Sequence, residues 1–307
     1  MLKILAFILL GEFIFQVHKH WGIEQVNDIT DQQENSTKPA NTPNTIYLLG
    51  DSYTKGLGIK KENRLINTIN VDGYYVADYS HSSDNWVDYI GKIRSIEKEL
   101  TTGDIIVIGV NWNDVSFNKG SINKLFSLQH SDSNKAEIKK LGKNTQPKGI
   151  RNIVHFLYRN SAMINFLSSN IQNTLRRKGI PLPIGDFHYL KEIAYTEKKD
   201  EMNRAMNYLQ TVNKIHNTTI ILYLMPDFNL TKNIGYFKNF RQYFLQFTSA
   251  NGITVLDGPE MFIDADDGYY CISTHDGHPN DKAHILMGRQ ISSIITADKV
   301  KEKEIKN

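Results

Sequence analysis

The chain has too few cysteines to build disulfides or clusters of thiolate metal ligands. Cys271 is its single cysteine, so an intrachain disulfide and a thiolate cluster are both excluded. Charge of one sign is also scarce, because 36 basic and 33 acidic residues leave a formal net charge of +3. No basic stripe with interleaved aromatic residues occurs, which argues against a nucleic-acid partner. With 307 residues, 40% of them hydrophobic, the chain can form one sizeable core or two small ones.

The N-terminus carries an apolar run from Ile4 to Val17 that is shorter than a bilayer span. A membrane-crossing helix takes roughly 20 apolar residues, and Glu12 interrupts this run. Its size suits the apolar region of an export signal, but no small-x-small cleavage site follows it. A cleaved signal peptide, an uncleaved signal-anchor and a buried helix therefore stay open for residues 1–17. We expect an exported protein, periplasmic or extracellular, tethered to the membrane where this segment is retained.

Residues 18–44 are rich in Asn, Thr, Gln and Asp and contain two prolines, which is typical of a polar linker. We expect the folded domain to span residues 45–298 and to be followed by a charged tail, residues 299–307.

Within residues 45–298, short apolar runs alternate with segments of helical periodicity. Runs such as DIIVIGV are apolar on both faces, as strands covered by helices on both sides must be. Five runs predict strands: Ile46–Leu49, Tyr74–Tyr79, Ile105–Val110, Ile220–Met225 and Ile253–Leu256. Helical spacing predicts helices around Ile150–Leu157, Met202–Leu209 and Asp281–Ile295. The alternation predicts an α/β fold, a three-layer α/β/α sandwich with a central parallel sheet of about five strands.

The connection between the third and fourth predicted strands, residues 118–199, is far longer than one crossover helix requires. We interpret it as a helical insertion over the active end of the sheet. A lid and plain extra packing both fit this segment, and its lysines suit a solvated face.

Polar residues lie at three predicted strand ends, where parallel sheets bind their ligands. They are Ser52 after the first strand, Asn111 and Asn113 after the third, and Asp276 and His278 before the final helix. A nucleophilic serine needs a base, a group that holds the base, and donors for the oxyanion. These residue types together predict nucleophilic catalysis at the sheet edge.

Three short blocks, in order, resemble those of the SGNH/GDSL hydrolases, a family of serine esterases and lipases. GDSYTKG resembles the first block, WNDV the Gly-x-Asn-Asp block and DGHPNDKAH the closing Asp/His block, together spanning Ile46 to Ile295. The resemblance implies the flavodoxin-like fold of these hydrolases. It also implies Ser52 as the nucleophile, His278 as the base and Asp276 as the residue that orients the base. Asn113 and the backbone N–H of Ser52 would then bind the oxyanion.

The chain departs from this family in three places. The second block contains no glycine, and Ser83 lies nearest to the position whose backbone N–H would join the oxyanion hole. Acid and base are one residue closer than in the family's Asp-x-x-His, and we expect Gly277 to absorb the difference through an unusual backbone conformation. The stretch GVNWND admits two registers, of which we prefer Asn113 and keep Asn111 in reserve.

Some of the same residues also fit other functions. Ser52 alone fits a helix cap, and GDSYTKGLG lacks the Gly-Lys-Ser/Thr order of a phosphate-binding loop. A metal site would use His275, His278, His284 and Asp276. It would leave the serine and asparagine blocks without a purpose, so we expect no metal and no cofactor.

These observations predict a serine esterase that forms an acyl-enzyme on Ser52. The resemblance implies substrates that carry O-acyl or O-acetyl groups on a carbohydrate or on a small lipid-like molecule. An O-acyltransferase acting on extracellular glycans and an inactive glycan-binding module both remain open. The expected partners are acylated small molecules or polysaccharides, with a membrane contact only through residues 1–17.

Overall fold

The structure is a computed structural model, and it describes residues 44–115, 117–128, 196–228, 238–247, 253–264, 269–273 and 276–306. At positions 238, 273, 276 and 298–306 it describes the backbone without the side chain. All of these residues belong to one compact unit, 33–144 and 187–307, and the other unit, 1–32 and 145–186, lies outside them. The predicted signal segment, residues 18–43 of the linker and residues 129–195 of the predicted insertion also lie outside. None of the helices in the described ranges has the length and apolarity to cross a membrane.

Five strands form one parallel sheet in the order β2-β1-β3-β4-β5. Their bounds are β1 Asn44–Gly50, β2 Tyr74–Asp78, β3 Ile105–Val110, β4 Thr219–Leu224 and β5 Ile253–Asp257. Each corresponds to one of the five predicted strands. Because this strand order is the doubly wound order of flavodoxin-like proteins, the predicted fold class is confirmed.

The helices of the described ranges are α1 (Ser52–Lys55), α2 (Leu65–Thr68), α3 (Trp86–Ile96), α4 (Ser121–Ser127), α5 (Lys199–His216), α6 (Lys238–Gln246), α7 (Gly258–Met261) and α8 (Asp281–Lys306). A separate antiparallel hairpin consists of β6 (Cys271–Ser273) and β7 (Asp276–Pro279). The helix predicted at Met202–Leu209 lies within α5. The helix predicted from Asp281 is the first part of α8, which continues through most of the predicted tail. The helix predicted at Ile150–Leu157 lies outside the described residues.

Helices cover both faces of the sheet because alternate strand residues point to opposite sides. One face carries Leu49, Ile106, Ile108 and Leu222, which belong to one buried cluster with residues of α3, α4, α5 and α6. The other face carries Leu48, Val107, Ile221 and Tyr223, which cluster with residues of α1, α2 and α8. The three layers follow directly from strands that are apolar on both faces.

The described ends of the predicted insertion are held together by two buried charges. The Glu201 carboxylate accepts the backbone N–H groups of Gly120 (2.6 Å) and Ile122 (3.0 Å) at the start of α4. The Lys198 ammonium donates to the backbone carbonyl of Val115 at 2.8 Å. Burial lowers the pKa of Lys198. These hydrogen bonds therefore hold the segment that follows β3 against the start of α5.

Candidate active site

The turn that carries Ser52 packs onto the end of the sheet because two facing residues are glycines. Gly50 of β1 and Gly109 of β3 are register partners, and Thr54 of α1 lies over both. A Cβ atom at either glycine would lie 2.0 Å from Thr54 Oγ1, a distance that no side chain tolerates. Glycine at both strand ends thus lets α1 approach the sheet closely.

Asp51 is the N-cap of α1, and Ser52 is the first residue of the helix. The Asp51 side chain is fully buried and accepts the backbone N–H of Tyr53 at 2.9 Å. Such a cap stabilises a helix start by about 1 kcal/mol. As the first residue of the helix, Ser52 has a backbone N–H without an acceptor inside the helix. The backbone N–H of Ser52 can therefore donate a hydrogen bond to an anion that binds next to this turn.

The β6–β7 hairpin and the start of α8 together carry His278. Asn280 follows two residues later and caps α8, because its Oδ1 accepts the N–H groups of Lys282 (3.0 Å) and Ala283 (3.2 Å). The amide of the same side chain donates to the backbone carbonyl of Cys271 at 3.1 Å. One side chain therefore ties the hairpin to the helix and fixes the backbone next to His278.

Ser52 and His278 meet although 226 residues separate them in the chain. The Ser52 Oγ lies 3.0 Å from the His278 Nε2, within hydrogen-bond distance. Both side chains are half-buried, so this pair is in contact with solvent. A hydroxyl paired with an imidazole at this distance is the arrangement that lets the imidazole take the proton of an attacking serine.

Asp276 precedes His278 by two positions on β7. Gly277 lies within the strand and has no positive φ, so the predicted unusual conformation at this position is wrong. The Asp276 side chain lies outside the description, and its role stays a prediction.

The two candidate asparagines of the third block occupy different places. Asn113 reaches the turn that carries Ser52, because its amide donates to the Asp51 carboxylate at 3.1 Å. Asn111 is fully buried and turns back on its own loop, where its Oδ1 accepts the Trp112 backbone N–H at 2.7 Å. Of the two, Asn113 is therefore the one that lies beside the turn of Ser52.

Ser83 lies on the loop between β2 and α3, and this loop runs beside the turn that carries Ser52. The backbone N–H of His81 in the same loop donates to the Gly50 carbonyl at 3.0 Å. Ser83 has a φ of 70°, in the left-handed region that favours glycine. The residue aligned with the family's glycine thus has the backbone conformation of a glycine.

Charged side chains brace the same loop. The Lys92 ammonium donates to the carboxylate of Asp84 and to the carbonyl of Tyr79. Burial raises the pKa of Asp84 to about 7, although the neighbouring Lys92 acts in the opposite direction. Burial therefore disfavours the charged form of the carboxyl group next to Ser83.

Sequence reasoning missed a buried ion pair beside Ser52. Lys55, the last residue of α1, donates to Asp78 at 2.8 Å, and the side chains are only 9% and 6% exposed. Asp78 also accepts the backbone N–H of Ser80 at 2.8 Å. The pair links the turn that carries Ser52 to the loop that carries Ser83. Asp78 ends β2 but lies one residue inside the predicted strand Tyr74–Tyr79, so a search for polar residues at and next to every predicted strand end would have found it.

A second missed contact lies at the end of β4. The buried Asp227 accepts the indole N–H of Trp112 at 2.9 Å, which ties the loop after β4 to the turn that carries Asn113. The backbone N–H of Phe228 donates to the Gly277 carbonyl at 3.2 Å and so joins this loop to the hairpin of His278. Asp227 follows a predicted strand, so the same search would also have found it.

His284, considered above as a metal ligand, is engaged in the core instead. It is fully buried on α8, and its Nδ1 accepts the backbone N–H of Leu65 at 3.0 Å. Burial lowers the pKa of His284 to about 3, so the ring stays neutral at physiological pH. The part of the chain that the structure describes contains no group of three or more potential metal-binding side chains. His275 lies outside that part.

Comparison with known proteins finds structural likenesses only. No protein-family model matches the chain, and no curated protein matches it either. A lipase from a goat rumen metagenome aligns over 81% of this chain and 96% of its own, with 12% identity and a TM-score of 0.44. A lipolytic protein of the G-D-S-L family from Desulfitobacterium hafniense aligns over 81% and 98%, with 15% identity and a TM-score of 0.43. Likenesses this distant do not bear on the activity.

Proposed function

We propose that this protein is a serine ester hydrolase of the SGNH type, with Ser52 as nucleophile and His278 as general base. The observation that carries the proposal is the 3.0 Å contact between Ser52 Oγ and His278 Nε2. Two surrounding features support it. Ser52 starts a helix at the carboxyl edge of a parallel sheet, and Asn113 and the Ser83 loop lie beside the same turn.

In the first half of the reaction, the Ser52 oxygen attacks the ester carbonyl while its proton passes to His278 Nε2. The carbonyl oxygen becomes an oxyanion, for which the backbone N–H groups of Ser52 and Ser83 and the Asn113 amide are the donors. His278 then gives its proton to the departing alcohol as the carbon–oxygen bond breaks. An acyl-enzyme on Ser52 remains.

In the second half, His278 removes a proton from water, and the resulting hydroxide attacks the acyl carbonyl. The proton returns to the Ser52 oxygen, and the carboxylic acid leaves. Asp276 holds the imidazole in the required tautomer, in which Nε2 is unprotonated and accepts the serine proton. Every proton is transferred between groups of the chain, the substrate and water, and the cycle needs no metal or cofactor.

The substrate class follows from the same proposal and from the N-terminal sequence. The apolar segment of residues 1–17 suits export, so the ester is one found outside the cytoplasm, in the periplasm or the extracellular space. O-acetyl groups on a carbohydrate, or a small lipid-like ester, are the substrates we expect. If a sugar hydroxyl replaces water in the second half, the same residues carry out acyl transfer.

A fluorophosphonate probe and a chromogenic ester test the proposal on the full-length protein. The probe should label the wild type, and Ser52→Ala should remove the label. Ser52→Ala and His278→Gln should each lower p-nitrophenyl acetate turnover by at least about 10⁴-fold, because the two groups act as a unit. Ser95→Ala and His216→Gln are the matched controls, since these residues lie on α3 and α5 away from the turn of Ser52.

Three outcomes separate the candidates. Acetate release from an acetylated sugar without any acceptor supports the hydrolase, and release only with a sugar acceptor replaces it with an acyltransferase. Binding of an acetylated glycan without labelling replaces it with a binding module. Turnover in Ser52→Ala equal to that in Ser95→Ala would refute the assignment of the nucleophile.

A further inference from the structure

Tyr53 directly follows the nucleophile, and its ring stacks on the imidazole of His278. The two ring centroids are 4.1 Å apart, and the ring planes are inclined by 28°. The face of the tyrosine ring therefore lies against the face of the imidazole. Ser52 contacts the edge of the same imidazole through Nε2, so two consecutive residues of α1 engage His278 from different directions.

The tyrosine ring is itself held in place. Tyr53 is only 7% exposed and belongs to the buried cluster beneath α2 and α8. Its backbone N–H is bound to the Asp51 carboxylate, which fixes the turn from which the side chain projects. A ring this constrained limits the positions open to the imidazole that it covers.

The geometry points to Tyr53 as a positioning residue for His278, which holds the imidazole toward Ser52 and stabilises its protonated form. A cation within about 6 Å of an aromatic ring centroid is attracted by the negative face of the ring. During the proposed reaction the imidazole becomes a cation each time it accepts a proton. Stacking therefore favours the state that the transition state requires. This inference rests on the proposed function.

Other groups lie around His278 among the described residues. His284 on α8 interacts with it electrostatically, but burial keeps His284 neutral well below pH 6. Ser52 contributes a hydroxyl, and the loop after β4 presents Phe228 next to Gly277. Asp276 precedes the histidine on β7 and is unchanged in the variants below. A substitution at Tyr53 therefore tests what its ring contributes to the pKa of His278.

Two substitutions separate the ring face from the hydroxyl. Tyr53→Phe keeps the face, and Tyr53→Leu removes it but keeps an apolar side chain in the buried cluster. The measurement is the titration of His278 by NMR with ¹³C-labelled histidine in the full-length protein, with the His278 signal assigned from its loss in His278→Gln. This readout needs no turnover, so it distinguishes failure of this inference from failure of the proposed activity.

In Tyr53→Leu, the pKa of His278 should fall by about 0.4 to 1.5 units relative to the wild type, because the cation loses its aromatic neighbour. In Tyr53→Phe it should stay within about 0.3 units, since the face is retained. The acid limb of the kcat/KM profile for p-nitrophenyl acetate should move by the same amount, with a lower plateau in Tyr53→Leu.

The direction of the shift is decisive. If the pKa of His278 is unchanged or rises in Tyr53→Leu, the ring does not stabilise the cation and the inference is overturned. If Tyr53→Phe shifts as much as Tyr53→Leu, the hydroxyl is responsible and the stacking explanation fails. If the NMR shift occurs without any esterase activity in the wild type, the stacking stands and the proposed function falls.

Discussion

The buried imidazole of His284 should make this protein lose stability as the pH falls below neutral. In the unfolded chain the ring takes up a proton near its ordinary pKa of 6.5, whereas in the folded protein burial lowers the pKa to about 3. Between these values the unfolded state binds one more proton than the folded state. The contribution of His284 to stability is therefore complete above pH 6.5 and declines as the pH falls toward 3.

The two pKa values fix the size of the effect. Each unit of pKa difference corresponds to about 1.4 kcal/mol, so the full contribution over the interval is about 5 kcal/mol. Within the interval, the free energy of unfolding should fall by about 1.4 kcal/mol per pH unit from this group alone. His284→Asn provides the test, because an asparagine oxygen at the position of Nδ1 can still accept the Leu65 N–H without titrating.

The assay is urea unfolding of both proteins at pH 4, 5, 6 and 7. The variant will be less stable at pH 7 because a smaller side chain leaves a cavity, but that cost does not depend on pH. Below pH 6, the free energy of unfolding should therefore fall more steeply in the wild type than in the variant, by about 1.4 kcal/mol per pH unit. His216→Asn, which removes a half-buried imidazole beside Glu97, controls for loss of a histidine and should not flatten the slope. Equal slopes in the wild type and His284→Asn would refute the reasoning.

Two further substitutions test the surroundings of the nucleophile. Because Ser83 has a φ of 70°, Ser83→Gly should be more stable than Ser83→Ala by about 1 kcal/mol, measured by thermal unfolding, and the reverse order would contradict a left-handed backbone there. Lys55→Met should cost about 3 to 5 kcal/mol, since it leaves the Asp78 carboxylate buried without its cation. Adding Asp78→Asn to Lys55→Met should recover part of that loss, and additive losses would mean that the two side chains do not act as a pair.

The five strands could be predicted because their signal is local. A strand covered on both faces must be apolar at consecutive positions. A run such as Ile105–Val110 therefore predicts a strand that is buried between two layers of helices. The sequence also shows the glycines near the ends of β1 and β3, but it does not show why glycine is required there. The reason is Thr54, which belongs to the turn after β1 and fills the space of both missing side chains.

Only one property of the site could be predicted, namely that residues at the ends of parallel strands meet at one edge of the sheet. That rule places Ser52 and His278 near each other, but it does not give a distance or say which other groups surround them. The ring of Tyr53, the ion pair of Lys55 and the carboxylate of Asp227 each act through a partner far away in the chain. Nothing in the neighbouring sequence specifies such partners.

By itself, the order of residues determined the layered α/β architecture and predicted a type of chemistry at its edge, because periodicity and polar residues after apolar runs are properties of short segments. Only the tertiary structure decided that an imidazole 226 residues away stands 3.0 Å from the serine and that a tyrosine covers it. It also decided that Gly277 lies within β7 without a positive φ. The physical reason is that distances of this kind depend on how complete elements pack together, and packing is a property of the whole fold.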